Sequence, residues 1–287
     1  MNAAFSNGTL YFIGVKFDAH LTLIDSAQVF HWKKTTDDKG TRFDAVVNGK
    51  HVSLVPQEDG FLLRTVDEED IPFWWNYFDL DRDYEAVEKS CSEYPIAQCA
   101  MQLLPGMRVL NQPPWETLLT FILSANNNVQ RIRQLVEKLI ASFGENGAFP
   151  TPQRLAEVSE TELRGIGCGY RAPYLIKTAQ MVRDGFDLEA LRKLPYAEAH
   201  KKLLTLQGVG DKVADCVQLF SLGFSEAFPV DVWVERLMKQ WFSGEAAGKK
   251  AIVRQAHEMF GKNAGIVQQS LFHCARLGLI ELKNEAD

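Results

Sequence analysis

Lys212 and Asp231 are the two side chains whose types and settings point to chemistry, and both lie in LLTLQGVGDKVADCVQLFSLGFSEAFPVDVWVER, residues 203–236. An apolar helix is expected to end at Leu206, and Gly208-Val209-Gly210 leaves room only for a tight turn before a second helix starts around Asp211. The free N–H groups in the first turn of that second helix point outward. With no side chain at Gly208 or Gly210, they are open to a phosphate oxygen without any net positive charge on the protein. Lys212 sits one residue into the new helix, where the macrodipole opposes its charge and favours loss of the proton that a nucleophilic amine must give up. Nineteen residues on, Phe228-Pro229-Val230-Asp231 puts a carboxylate just before or within the first turn of another helix. Taken singly, Lys212 fits a surface lysine, Asp231 an N-cap and the glycine turn an ordinary helix–helix connection. Around one hairpin they form an amine, a carboxylate and a phosphate-sized notch.

Positioning such a set takes a rigid frame, and the chain supplies two kinds of element. Residues 1–90 hold strand signals at 10–17, 28–32, 42–47, 51–55 and 61–66, separated by turn residues. Asn48-Gly49, between two apolar runs, supplies the positive φ angles of a two-residue hairpin turn. An acidic run, DEED before Pro72, suits a solvated helix start. From about Gly106 onward the pattern is helical, in pieces punctuated by Pro and Gly: 115–125, 129–143, 152–159, 174–184, 197–206, 212–222, 232–242, 249–260 and 265–277. The fold class expected is α+β, with an N-terminal antiparallel sheet domain over residues 1–95 and a mostly helical domain over 96–287. No fixed repeat period appears, which excludes a solenoid.

The 287 residues are 46% hydrophobic and 24% charged, within the range of ordinary globular proteins and outside that of disordered or fibrous ones. The formal charge of −6 misleads as a guide to partners, because it is unevenly spread. Residues 1–90 carry nine Lys and Arg against sixteen Asp and Glu, whereas the other 197 residues carry 22 against 21. The five cysteines, Cys91, Cys99, Cys168, Cys216 and Cys274, have no zinc or iron–sulfur spacing and read as free thiols, with no metal site. No apolar run approaches a membrane span, and the first residues lack a secretory leader pattern. An intracellular protein is expected, cytoplasmic in a bacterium or nuclear in a eukaryote.

With LQGVGDK followed by LGFSEAFPVD, the sequence resembles the helix-hairpin-helix DNA glycosylases, and within them the 8-oxoguanine DNA glycosylase/lyase branch. The resemblance runs over most of the chain, through the N-terminal sheet, SANNNVQRI at 124–132, GCGYRAPY at 167–174 and VQQSLFHCAR at 267–276. It implies a monomer that acts without a cofactor on double-stranded DNA containing an oxidised purine, and that has no membrane partner. The damaged base would be rotated out of the duplex, since its sugar carbon is out of reach while the base is stacked. Lys212 would then displace the base and form a Schiff base that permits strand cleavage by β-elimination. Asp231 would stabilise positive charge on the sugar, as carboxylates do in glycosidases.

The resemblance also implies a base pocket in which Phe272 offers a stacking face, Cys216 the opposite wall and Gln268 a partner for the Watson–Crick edge. A backbone carbonyl, usually of a glycine, would accept from the N7–H that only the oxidised base carries. Ala27 occupies that position, and if the backbone there needs positive φ, alanine is strained. For the other strand, Asn126 resembles the residue that fills the vacated space and Tyr170 the wedge beside it. Arg131 and Arg171 resemble the pair that reads the orphaned cytosine, whose O2 and N3 acceptors suit guanidinium donors. Helical core positions for Cys216 and Phe272, and a solvated helix face for Arg131, are the plain alternatives. The family's His and Asp near the catalytic carboxylate and the stacking Phe are replaced by Trp233 and Ala275, and no role is assigned to Trp233.

Two other readings stay open. One is a helix-hairpin-helix glycosylase for another base: the iron–sulfur branch lacks its cysteine cluster here, and the alkylated-base branch typically lacks a lysine at the position of Lys212. The other is a non-catalytic module that uses Gly208, Val209 and Gly210 only to grip phosphates. Borohydride trapping on lesion DNA separates enzyme from module.

Overall fold

Asn48 and Gly49 adopt φ of +50° and +75°, so the hairpin turn forms where the dipeptide requires it. In the computed structural model, which describes residues 3–242 and 248–281, that turn joins the fourth and fifth strands in sequence of a six-stranded antiparallel sheet. The strands are β1 (Ala3–Ser6), β2 (Thr9–Ile13), β3 (Lys33–Asp37), β4 (Gly40–Val47), β5 (Lys50–Gln57) and β6 (Gly60–Arg64), in the order β1-β2-β6-β5-β4-β3. Period-2 alternation turns Leu10, Phe12, Phe43, Val47, Val52, Leu54, Phe61 and Leu63 to one face. There they pack on Trp74, Tyr77 and Phe78 of the following helical segment, each such side chain contributing about 1.5–3 kcal/mol by burial.

Helices follow: α1 (Ile71–Tyr77), α2 (Tyr84–Ser90), α3 (Pro95–Gln102), α4 (Pro114–Ser124), α5 (Val129–Phe143), α6 (Pro152–Ala156), α7 (Glu160–Gly165) and α8 (Ala172–Arg183). Then come α9 (Tyr196–Leu203), α10 (Asp211–Val217), α11 (Val232–Trp241), α12 (Lys249–Phe260) and α13 (Ala264–Arg276). A second apolar core, distinct from that of the sheet, runs through α2 to α13. No helix among the described residues is long and apolar enough to cross a membrane.

The expected helices recur within a few residues at their ends, and the strands less well. Segment 28–32 is not a strand, β2 ends at Ile13 instead of residue 17, and β1 and β3 were not foreseen. The reason lies in burial: residues 28–32 are buried throughout, between the two cores, so their apolar run marks enclosure and not pairing. The side chain of Gln28 does the pairing instead, donating to the Arg108 carbonyl at 2.8 Å and accepting from the Leu110 N–H at 2.8 Å. The edge strand β3 is the polar KKTTD, which shows no alternation. The acidic run is also less solvated than expected, since Asp70 is buried and paired with Lys50 of β5.

Sheet and helices meet at a polar seam. The Asn48 N–H donates to Glu116 Oε1 of α4 at 2.8 Å, and Trp32 Nε1 donates to the Tyr77 hydroxyl at 2.9 Å. Glu116 Oε2 is buried with no partner, and burial pushes this carboxyl up to about 8.

Candidate active site

The hairpin between α9 and α10 divides the work of its two glycines. Gly208 has φ of +78°, and a Cβ there would lie 2.7 Å from the Tyr174 ring, so this glycine is fixed by turn geometry and packing and is not an open approach. Gly210 is the N-cap of α10 and has nothing within 4 Å of its Cβ position, so access to the helix N-terminus comes at Gly210. Beneath the turn, His200 of α9 contacts Asp211 at 3.2 Å, Asp215 at 3.2 Å and Gln218 at 2.8 Å. Its hydrogen bond to Asp215 raises it to about 9, so a charged imidazole ties α9 to α10 at neutral pH.

Lys212 follows in the first turn of α10 and reaches across to α4. Its Nζ donates to Ser124 Oγ at 3.1 Å and lies 4.9 Å from the centre of the Phe121 ring, which is itself stacked on Phe220. Asp231 is the N-cap of α11, with Oδ1 accepting from the Val234 N–H at 2.9 Å. Capping and a place in the cavity are therefore not alternatives: one oxygen holds the helix and so fixes the direction of the other. Among the described residues no ion pair joins Lys212 to Asp231, though both line one cavity.

That cavity gathers the other expected pocket residues. Ala27, Cys216, Gln268 and Phe272 line a narrow space of about 50 Å³ with Lys212 and Asp231, and it opens into a cleft of about 640 Å³ bordered by Asn126, Trp233 and Arg276. Burial pushes the Cys216 thiol up to about 12, so it stays protonated and forms a wall and not a nucleophile. Gln268 donates through Nε2 to the Pro229 carbonyl at 3.2 Å, while its Oε1 is buried without a partner. Ala27 has φ of +55°, the left-handed conformation whose cost for alanine is about 1–2 kcal/mol. The alanine thus keeps the backbone turn that a glycine would adopt freely.

A second cluster stands at the cleft edge. Asn126, at φ of +50°, donates from Nδ2 to the Tyr170 hydroxyl at 3.2 Å, and Tyr170 in turn donates to the Ala125 carbonyl at 3.3 Å. Arg171 is buried, stacks 4.4 Å from the centre of the Tyr170 ring and gives both Nε and Nη2 to the Ala125 carbonyl. Arg131 is half-buried and donates to the Gly167 carbonyl at 3.4 Å. Arg131 and Arg171 are thus both tied to backbone.

Sequence reasoning missed Ser124, Phe121, Gln269 and His200. Ser124 begins a segment already singled out, and two adjacent glutamines inside the apolar stretch IVQQSLF were a signal for Gln269. His200 carried no local signal. Among the described residues no group of three or more His, Cys, Asp or Glu side chains has metal-binding geometry.

Residues 119–262 match the HhH-GPD superfamily base excision DNA repair protein family, and residues 12–118 match the 8-oxoguanine DNA glycosylase N-terminal domain. The chain belongs to this superfamily. A "Probable N-glycosylase/DNA lyase" of Methanothermobacter thermautotrophicus is 32% identical, over 71% of this chain and 73% of that protein. The N-glycosylase/DNA lyase OGG1 of Arabidopsis thaliana is 38% identical over 59% of this chain and 52% of its own, so the match spans about half its length. Among solved structures, a Clostridium acetobutylicum 8-oxoguanine glycosylase/lyase in complex with double-stranded DNA containing cytosine opposite 8-oxoG superposes with a TM-score of 0.87. It is 30% identical, over 97% of this chain and 98% of that one. Superfamily membership makes a purely structural hairpin module the weaker of the readings left open by the sequence.

Proposed function

We propose that the chain is a bifunctional DNA glycosylase and abasic-site lyase that removes 8-oxoguanine from duplex DNA. The observation that carries this reading is one cavity lined by an amine (Lys212), a carboxylate with no ion-pair partner among the described residues (Asp231), Gln268, whose Oε1 has no partner among them, and Ala27, whose carbonyl accepts no side-chain donor among them. A flipped 8-oxoguanine brings donors to both acceptors: N1–H and the exocyclic amine on its Watson–Crick edge to Gln268, and N7–H to Ala27. Guanine lacks N7–H, and its bare N7 would face the Ala27 carbonyl, lone pair against lone pair. Phe272 and Cys216 hold the ring between an aromatic face and a neutral thiol.

In this reading the lone pair of Lys212 Nζ attacks C1′ as the C1′–N9 bond breaks and the base departs with the bonding pair. Asp231 offsets the positive charge on the sugar ring. Opening of the sugar gives a Schiff base on Nζ, and loss of the C2′ proton expels the 3′ phosphate by β-elimination. Ser124 and Phe121 hold the amine in place until the sugar arrives. The amides of the α10 N-terminus at Gly210 take a backbone phosphate, with Gly208 and Val209 shaping the turn. Asn126 fills the vacated space, Tyr170 wedges the stack, and Arg131 and Arg171 address the orphaned cytosine. The protein works as a monomer, with the sheet domain of residues 1–95 bracing the helical domain of 96–287.

Duplexes carrying single lesions, assayed for base release and for borohydride trapping, test the reading. Base release and trapping are expected with 8-oxoguanine opposite cytosine. Neither base release nor trapping on that duplex, but both on one carrying an alkylated or another oxidised base, would reassign the substrate. No trapping on any duplex would sink the lysine mechanism.

A further inference from the structure

Segment 24–28, the end of a helical turn (Leu21–Asp25) and the bend after it that carries Ala27, is held by its carbonyls. The Ile24 carbonyl takes Arg133 Nη2 at 2.8 Å, the Asp25 carbonyl takes Arg276 Nη2, the Ser26 carbonyl takes Gln269 Nε2 at 2.6 Å and the Gln28 carbonyl takes Gln112 Nε2 at 2.8 Å. Among the described residues the Ala27 carbonyl alone in this run accepts no side-chain donor, and Ala27 lines the base cavity. Four clamped carbonyls around one open one leave the loop little freedom to turn its unused acceptor away. They also offset the cost of a left-handed alanine, which a free loop would relieve by shifting.

Two of the clamps come from α13, the helix that also supplies Gln268 and Phe272. Gln268 and Gln269 are consecutive and reach opposite walls, Gln268 to the Pro229 carbonyl two residues before Asp231 and Gln269 to the Ser26 carbonyl just before Ala27. Two turns further on, Arg276 bridges the Asp25 carbonyl and Nδ1 of His273 at 3.4 Å. Burial, then the charge of Arg276, push His273 down to about 4, so its ring is neutral and Nδ1 accepts. The helix therefore spaces the wall that carries Asp231 from the wall that carries Ala27.

We propose that Gln269 and Arg276 are positioning residues that aim the Ala27 carbonyl into the base cavity, so that selection of an N7-protonated purine depends on two side chains bonded to the carbonyls of Ser26 and Asp25, of which Gln269 also lines that cavity. This rests on the 8-oxoguanine reading above. Neither residue acts on the sugar, so both should matter for recognising a base and not for cleaving at a site that has none.

The test compares single-turnover excision of 8-oxoguanine opposite cytosine with strand cleavage at a preformed abasic site in the same duplex. Gln269→Met keeps the length of the side chain and removes the donor. It is expected to lower the ratio of excision to abasic cleavage by about tenfold, roughly the factor that one hydrogen bond supplies, with borohydride trapping on abasic DNA unchanged. A parallel fall in both activities would mean a merely structural role and would overturn the proposal, as would a ratio unchanged from the wild type. Should Gln269→Met fail to fold, Gln269→Asn, which keeps the amide but falls one methylene short of the Ser26 carbonyl, reads the same ratio and is judged by the same outcomes. If the wild-type protein cleaves abasic sites but leaves 8-oxoguanine in place, the substrate reading has failed and this proposal falls with it.

Discussion

In the base cavity the Gln268 Oε1 and the Ala27 carbonyl wait without partners, whereas at the cleft edge Asn126, Tyr170 and Arg171 bond to one another and to the Ala125 carbonyl. In the function proposed above, the cavity is set in advance for an incoming base, with polar atoms whose neighbours are already committed elsewhere. The edge cluster is closed on itself and, in the same proposal, exchanges its own hydrogen bonds for those of the opposite strand. A preset site contributes its full interaction on binding, while an exchanging one contributes only a difference. Substitutions in the cavity should therefore change activity by orders of magnitude, and those at the edge should change selectivity by smaller factors.

The largest expected effect is at Lys212. Lys212→Gln should abolish base release and borohydride trapping while leaving lesion-DNA affinity nearly intact, since the α10 amides and the edge cluster remain. Trapping that persisted would put the nucleophile on another residue and break the comparison at its catalytic end.

At the edge, the wild-type enzyme should favour 8-oxoguanine opposite cytosine over adenine by at least about tenfold, because a good bidentate contact is worth roughly 1–3 kcal/mol of base discrimination. Arg131→Ala should erode that preference and cost far less activity opposite cytosine than Lys212→Gln does. Equal rates on the two wild-type duplexes would remove Arg131 and Arg171 from the reading of the orphaned base. Burial and the bonds to Ala125 make Arg171 a structural residue as well, so Arg131 is the cleaner probe.

The seam at Glu116 tests the frame that supports both regions. Its folded carboxyl, at about 8, lies above the usual value near 4.5, so the native state holds a proton that the unfolded chain has released between those two values. Stability from this group is present below pH 4.5 and falls as pH rises towards 8. Glu116→Gln should then melt at or above the wild type at pH 8 and show less advantage at pH 5. About 1 kcal/mol corresponds to 2–4 °C in a protein somewhat smaller than this one. A difference that did not vary with pH would mean that Glu116 is ionised in the folded protein.

The smallest expected effect concerns salt. Each neutralised phosphate contributes a slope of about −0.9 to the log–log dependence of affinity on salt, and with only Lys212, Lys249 and Arg276 as cations lining the cleft a slope on the order of three to five in magnitude is expected. A slope near ten would reveal a basic surface that the near-neutral charge balance of residues 91–287 conceals.

The sequence by itself determined the local elements and the chemistry they carry. The Asn48-Gly49 turn, helices α5 and α12, and the amine and carboxylate flanking a glycine hairpin follow from residue types and spacings a few positions apart, because backbone sterics and helical periodicity act over that range. It was silent wherever the deciding contact is remote. Segment 28–32 reads as a strand, yet is enclosed between two cores, and Gly208 reads as an opening, yet is closed by Tyr174 from α8. Gln269 meets Ser26 across 243 residues of chain, and His200 meets Asp215 only because α9 folds back on α10. A residue's type can fix whether it donates, accepts or ionises. Which carbonyl stays open and which oxygen caps a helix are settled by partners that only tertiary packing brings within hydrogen-bonding distance.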